Sequence, residues 1–218
     1  QTIAIGKLNV KICGSSSGLS DFGDGATHQC VEDLAVFRAV PNMTVICPAD
    51  ANETVEAVKA MAAMDGPCYL RLNRNDYPNV TEEGARFEIG VPRILKHGTD
   101  VALFAAGYMT GVALEAAKEL EGSISVRVIN VSTIKPMNKE VMRKMAEGCR
   151  AVVTAEEHNV AGGLGSAVAE ALCEDPLPMK MVGIKDTFGC SGHNYQEVLA
   201  YHGLTKEAVA EAVRAMAG

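Results

Sequence analysis

The sequence has no tryptophan, only 5% aromatic residues, no C-x-x-C pair and no surplus of positive charge. With 27 Asp and Glu against 20 Lys and Arg its formal net charge is -7, which disfavours nucleic acid or an anionic membrane as partner, since both need a concentrated basic face. The longest uncharged apolar stretch, residues 101–114, is interrupted by Gly107, Thr110 and Gly111 and is too short to span a bilayer. Seven cysteines form an odd set, none at ligand spacing from a His or another Cys. They read as reduced, cytoplasmic thiols that act as small buried hydrophobes rather than as metal ligands. No secretory signal is visible in a sequence that opens on Gln1.

What remains is a globular composition: 218 residues, 48% apolar and 22% charged. A chain of this size buries roughly 70% of its unfolded surface, so it needs no disulfide or metal to hold a core. Apolar runs alternate with amphipathic stretches, the pattern of parallel strands joined by helical crossovers. Residues 8–13, 43–47 and 68–72 read as strands. Residues 51–64 between the last two read as a helix, with Val55, Val58 and Met61 on its buried face and Asp50 and Glu53 at capping-box spacing. A polar stretch, residues 73–85, breaks the periodicity and marks the domain boundary. Beyond it the pattern predicts strands at 100–106, 125–130, 151–155 and 179–184, with helices at 110–120, 138–147, 164–173, 194–201 and 205–216. Four strands with intervening helices make a doubly wound layer, whereas the first 85 residues supply only three strands and one clear helix.

Three segments could carry chemistry. The first is GSSSGLS, residues 14–20, with the DFGDGATHQ stretch behind it. It lacks the Lys of a phosphate-binding P-loop, but Asp24 and His28 lie four residues apart on a glycine-punctuated loop at a strand's carboxyl end, where open α/β sheets bind ligands. They read either as a hydroxyl-binding, proton-shuttling pair or as an Asp-Gly turn with a locally satisfied histidine. The second is Arg71 and Arg74, which read as an anion anchor or as a surface ion pair with Asp76. The third is Glu156, Glu157 and His158 before the glycines at 162, 163 and 165. Here the dinucleotide fingerprint fails at Val168, a polar loop is expected between strand and glycines, and tight helix packing explains the glycines better than a phosphate cradle does. The two glutamates read as structural or interface hydrogen-bonding groups. No metal site is indicated, and His97, His193 and His202 read as solvated or capping residues.

The segment DGATHQCVEDLAVFRAVPNMTVICPAD (24–50) resembles the thiamine-diphosphate-dependent transketolase family. The resemblance continues through CYLRLNRNDYP, RVINVSTIKPMNKE, TAEEHNVAGGLGSAVAEAL, VGIKDTFGCSG and YHGLTKEAVAEAV and covers the chain in order. It is most like the C-terminal subunit of split bacterial transketolases; the deoxyxylulose-phosphate synthases share the D-G-x-T-H and E-E-H elements but fit the later segments less well. The resemblance implies an α/β fold class: a partial pyrimidine-binding domain over 1–85, then a doubly wound, mostly parallel C-terminal domain over 86–218. It also implies thiamine diphosphate with a divalent metal, both held mainly by regions outside this sequence, and an N-terminal diphosphate-binding partner chain in a homo-oligomeric, dimer-based assembly of the pentose phosphate type.

Carried over by position, Asp24 and His28 match the family's contacts near the reacting hydroxyls, His28 as the catalytic member, and Arg74 matches its sugar-phosphate arginine. Arg71 is a weaker addition. Ser16 stands eight residues before Asp24, where many transketolases have a substrate-contacting histidine, and a hydroxyl replaces neither its reach nor its acid-base capacity. The activity implied is transfer of a two-carbon ketol unit from a ketose phosphate to an aldose phosphate, inactive without the missing parts. A deoxyxylulose-phosphate synthase fragment and a non-catalytic assembly module on the same scaffold are the competing readings.

Overall fold

The computed structural model describes all 218 residues and contains two mostly parallel sheets. In the first, β1 (Lys11–Gly14), β3 (Cys68–Arg71) and β2 (Thr44–Ile46) run parallel in that spatial order. The second orders β4 (Arg93–Lys96), β6 (Val126–Asn130), β5 (Val101–Ala105), β8 (Ala151–Asn159) and β9 (Met179–Ile184), with only β4 antiparallel. No helix is long and apolar enough to cross a membrane.

Strand β5 reads VALFA and is buried at every position, as a central parallel strand covered on both faces must be. Its side chains alternate between two cores. Val101, Leu103 and Ala105 pack with residues of α4 (Met109–Glu119), α7 (Tyr195–Tyr201) and α8 (Lys206–Ala217). Ala102 and Phe104 point the other way, toward α5 (Lys139–Ala146) and α6 (Leu164–Leu172). That second core also takes Leu34, Met43, Val45 and Tyr69 from the first sheet and its helix α2 (Asp33–Ala39), so one apolar interior joins both sheets.

Several features differ from the pattern in the sequence. The first sheet has a fourth strand, β7 (Thr133–Lys135), which returns from the second half of the chain to pair antiparallel with β2. Three residues flanked by Pro136 carry no periodicity that could announce it. Short α1 (Thr2–Ile5), α2 and β4 were equally silent. In α3 (Ala51–Ala63) the buried stripe is Glu53, Ala57 and Met61, while Val55 and Val58 are exposed. The helix is turned by its cap: Asp50 Oδ1 accepts from Glu53 N at 2.9 Å, and the Glu53 carboxylate, buried, accepts from Ala49 N at 2.7 Å and Asn130 Nδ2 at 2.9 Å. Two charged groups with dictated partners thus outweigh two valines. The cysteines also divide: all seven are free, but Cys13, Cys30 and Cys173 are exposed rather than buried.

Strand β8 does not stop at Ala155. It runs on through Glu156, Glu157 and His158, all buried, so the expected polar loop is strand. Its end meets a buried network from the first sheet. Arg71, 5% exposed, donates from Nε to both Asp33 oxygens at 2.9 and 3.1 Å and from NH2 to the Glu157 carbonyl at 2.9 Å. Tyr69, stacked on Phe37 at 3.8 Å, donates its hydroxyl to Asp33 Oδ2 at 2.7 Å. Burial alone raises the Asp33 carboxyl, but Arg71 and Tyr69 hold it below the usual carboxylate range.

Removing the charge of Asp33 leaves Arg71 buried without a counter-ion. Asp33→Asn should therefore cost about 3–5 kcal/mol in urea unfolding at pH 7. Because the folded pKa of Asp33 is depressed, its contribution is fully present above the unfolded value near ~4 and is lost as pH falls through the lower folded one. The gap between wild type and Asp33→Asn should accordingly narrow when the same unfolding series is run below pH 4.

Candidate functional site

Strands β1 and β3 are neighbours in register, Gly14 opposite Arg71, so the chain leaves the sheet at one carboxyl edge in both places. The turn after β1 is folded onto that edge by its own backbone. Ser17 N donates to Leu72 O at 3.0 Å, Gly18 N to Cys30 O at 2.8 Å and Leu19 N to the Glu157 carboxylate at 2.7 Å. Gly18 is needed here: its φ is +63°, and a Cβ would run into the Glu157 carboxylate. Ser16 also sits in the left-handed region, at φ 59°, half-buried beside this turn.

Asp24 and His28 bracket a single 3-10 turn, Gly25–Thr27, and both are exposed. The His28 Nδ1 lies 3.1 Å from Thr27 Oγ1, and Nε2 makes no hydrogen bond within the protein. Gln29, buried immediately beneath, donates from Nε2 to Asp21 O and to Cys190 O, both at 3.0 Å, and Gly192 N donates to Phe22 O at 2.9 Å. The loop carrying Asp24 and His28 is thereby pinned to the segment following β9, in the other half of the chain. Gly189 makes room for it, because a Cβ there would strike Gln29 Oε1.

The two arginines part company. Arg74 reaches the same edge, its side chain 53% exposed, and NH1 donates to Asp21 Oδ2 at 2.9 Å; the partner is Asp21, not Asp76. Arg71 is a correction to the sequence reading. It is sealed inside the protein with its donors committed to Asp33, Cys30 O and Glu157 O, and no sugar can reach it. Position along the chain holds the difference: β3 is buried at every residue, Arg71 included, while Arg74 lies beyond its end.

Both glycine-rich turns spend most of their backbone N–H groups on the protein itself. Those of residues 17–20 are spent on the protein, and at the start of α6 Leu164 N and Gly165 N donate to the Glu156 carboxylate at 2.6 and 2.8 Å. Burial pushes the Glu156 carboxyl up to about 8 against the pull of those two donors. His158 is held neutral by burial and by Arg71 nearby; its Nδ1 lies 2.6 Å from Asn159 O and its Nε2 accepts from Ala35 N at 3.4 Å. Glu157 completes the wall, with Asn73 Nδ2 bridging its Oε2 at 3.2 Å and the Tyr195 hydroxyl at 2.6 Å. No three His, Cys, Asp or Glu converge as a metal-holding group. The residues present therefore suit hydroxyls and one anion, and do not fit the diphosphate and metal end of a thiamine cofactor.

Sequence reasoning passed over Gln29, Asp33 and Asn73 as site-forming residues, and Asp21 as the partner of Arg74. Only Gln29 was signalled, by adjacency to His28; the others are joined by pairings of 38 to 122 positions in separation that no local pattern encodes.

Comparison with known proteins agrees with this architecture. Residues 1–80 match the family model described as the transketolase pyrimidine binding domain, and residues 90–209 the transketolase C-terminal domain. A Methanocaldococcus jannaschii protein provisionally named transketolase C-terminal section is 41% identical over 97% of this chain and 67% of its own length. A Clostridium sp. protein named 6-deoxy-6-sulfo-D-fructose transketolase subunit is 42% identical over 86% of this chain and 59% of its own length. Among solved structures, a split gene transketolase described as an inactive beta4 tetramer superposes with a TM-score of 0.91 at 45% identity, covering 99% of this chain and 69% of that one. The pyrimidine binding domain carries with it dependence on thiamine diphosphate, and the chain, its two sheets matching the two domains in order, belongs to the transketolase family as a C-terminal section.

Proposed function

We propose that this chain is the sugar-handling part of a split transketolase, acting with an N-terminal chain to transfer a two-carbon ketol unit from a ketose phosphate to an aldose phosphate. The observation that carries the reading is that Arg74 is tied through Asp21 to the loop that bears Asp24 and His28 and that Gln29 holds down. Thiamine diphosphate, when bound in the whole assembly, supplies the carbanion chemistry. Its diphosphate and metal are held by the partner chain, because this chain's glycine turns are already filled by its own groups. The seven free thiols, three of them exposed, support a reducing, cytoplasmic setting.

Each residue has a separate task. The Asp24 carboxylate accepts hydrogen bonds from donor-sugar hydroxyls and fixes their orientation. At His28, Nδ1 is occupied by Thr27, so Nε2 takes the proton of a reacting hydroxyl and later returns it. The Arg74 guanidinium holds the distal anion through charge-assisted hydrogen bonds, in ground and transition state alike. Ser16, in its left-handed turn, contributes a short hydroxyl to the same wall.

The assembly reading rests on two facts. Ile5, Leu8 and Val36 leave apolar side chains exposed at the first sheet and its helices, and the closely superposing split gene structure is a tetramer that is inactive. This chain alone should therefore transfer no ketol unit and should sediment as an oligomer at micromolar concentration; a monomer there would contradict the assembly reading.

In the complete enzyme, His28→Ala should lower kcat by ~10²- to 10⁴-fold for phosphorylated and unphosphorylated donors alike. Arg74→Ala should instead raise KM for the phosphorylated donor by roughly 10- to 100-fold with kcat little changed, and leave the unphosphorylated donor nearly unaffected. Steady-state kinetics with both donors separates the roles, and the same pattern in both mutants would refute the division.

A further inference from the structure

One of the seven cysteines is set apart by its neighbour rather than by its exposure. Cys190 Sγ lies 3.7 Å from His202 Nε2, and no other cysteine sulfur is within hydrogen-bond reach of a histidine. Burial pushes the thiols of Cys47 and Cys68 up to about 12 and about 11, and it raises those of Cys149 and Cys30, the latter with Asp33 adding to the effect. Those four sulfurs stay protonated and inert. Cys13 and Cys173 are exposed, but a histidine stands beside neither.

His202 is the C-cap of α7 and stands edge-on to the Tyr201 ring at 5.2 Å. Burial holds its imidazole below the ordinary value, so the ring is uncharged at neutral pH and Nε2 is able to take a proton from the thiol. The ring also lines an open cavity of about 440 Å³ between β9 and α8, where Lys180, Lys185 and Glu211 are the charged groups, and small solutes reach it from there. The backbone behind the sulfur is the clamp on the loop bearing Asp24 and His28. Cys190 O accepts from Gln29 Nε2 at 3.0 Å, Gly192 N donates to Phe22 O at 2.9 Å, and a Cβ on Gly25 would strike the Ser191 hydroxyl. The half-buried Cys190 side chain itself packs on the core shared with α7 and α8. An atom added to Sγ therefore meets core on one side and His202 on the other, and residues 189–192 yield together with the clamp they form.

We propose that Cys190 is a modification site, oxidised by hydrogen peroxide with His202 as its base, and that this oxidation loosens the loop bearing Asp24 and His28. His202 Nε2 takes the thiol proton as the sulfur attacks one peroxide oxygen and the O–O bond breaks; the departing hydroxide collects that proton and leaves as water. The thiol is oxidised to a sulfenic acid and the peroxide is reduced to water. Two equivalents of a small thiol reverse the change, yielding one disulfide and water. Sulfur, imidazole and clamp all belong to this chain, so the step needs no group from a partner. Only the catalytic meaning of the loosened loop rests on the ketol-transfer reading.

The 218-residue chain is treated at pH 7 with limiting hydrogen peroxide in the presence of dimedone, which traps sulfenic acids, and the adduct at each cysteine is followed by peptide mass spectrometry. Cys190 should be labelled about tenfold faster than the more exposed Cys13 and Cys173, and His202→Asn should bring it down to their rate. Hydrogen exchange after peroxide without dimedone should then rise roughly tenfold across residues 21–31 and return on addition of dithiothreitol, whereas Cys190→Ser, which keeps the backbone carbonyl, should show no rise. Cys13 or Cys173 reacting as fast as Cys190 overturns the assignment, and that comparison needs no variant. An unchanged Cys190 rate in His202→Asn, or in His202→Gln should the first fail to fold, overturns the role of the imidazole. Faster exchange confined to residues 186–204 overturns the control of the loop. If the complete assembly transfers no ketol unit while these results hold, the functional reading fails and the assignment of Cys190 stands.

Discussion

The buried pair Arg71 and Asp33 is the contact on which the rest of the molecule depends. It sits where the first sheet meets the end of β8, and its hydrogen bonds tie together both Asp33 oxygens, the Tyr69 hydroxyl and the Glu157 carbonyl. A buried ion pair gives little net stability compared with apolar packing, since desolvation consumes most of the Coulombic gain. What it does give is intolerance of misplacement. A one-residue slip would turn the buried apolar side chains to the wrong face, and a guanidinium sealed among fixed acceptors adds a directional penalty to the same error. Register between the two halves is therefore fixed by apolar and polar groups together.

From that junction the site follows. Because Glu157 lies on β8 next to the anchored backbone, its carboxylate reaches the turn after β1 and, through Asn73, the turn after β3. Two loops that leave the same sheet edge are thereby given one floor, supplied by the other half of the chain. Gln29 and the segment after β9 close the arrangement from the opposite side. The residues proposed to face the sugar sit on exposed loops, but the loops stand on buried, paired groups, which is how a mobile surface acquires a defined geometry.

The same logic explains why the E-E-H segment carries no direct chemistry despite three titratable groups in a row. Glu156 fills the start of α6, Glu157 braces the turns, and neutral His158 takes the amide of Ala35. Each satisfies a buried donor or acceptor that would otherwise be costly. The glycines at 163 and 165 accompany this role, since a Cβ at either would strike Glu156, or Met181 and Thr154.

Much of this was legible in the sequence. The α/β class, the strands with strong apolar runs such as VALFA and MTVIC, the helix starts at Asp50, Asn138, Asn194 and Thr205, and the loop bearing Asp24 and His28 follow from periodicity, capping chemistry and family resemblance, all of which act over a few neighbouring residues. Other features were decided only by the tertiary structure. That Val55 and Val58 face outward, that 133–135 joins a sheet formed by the other half of the chain, that Arg71 is sealed while Arg74 is exposed, and that Asp21 answers Arg74 all turn on pairings between residues far apart in the chain. The identity of a charged residue fixes that it needs a partner, and the local pattern cannot say which one; only the folded chain, by excluding water from some of those charges and not from others, makes the choice.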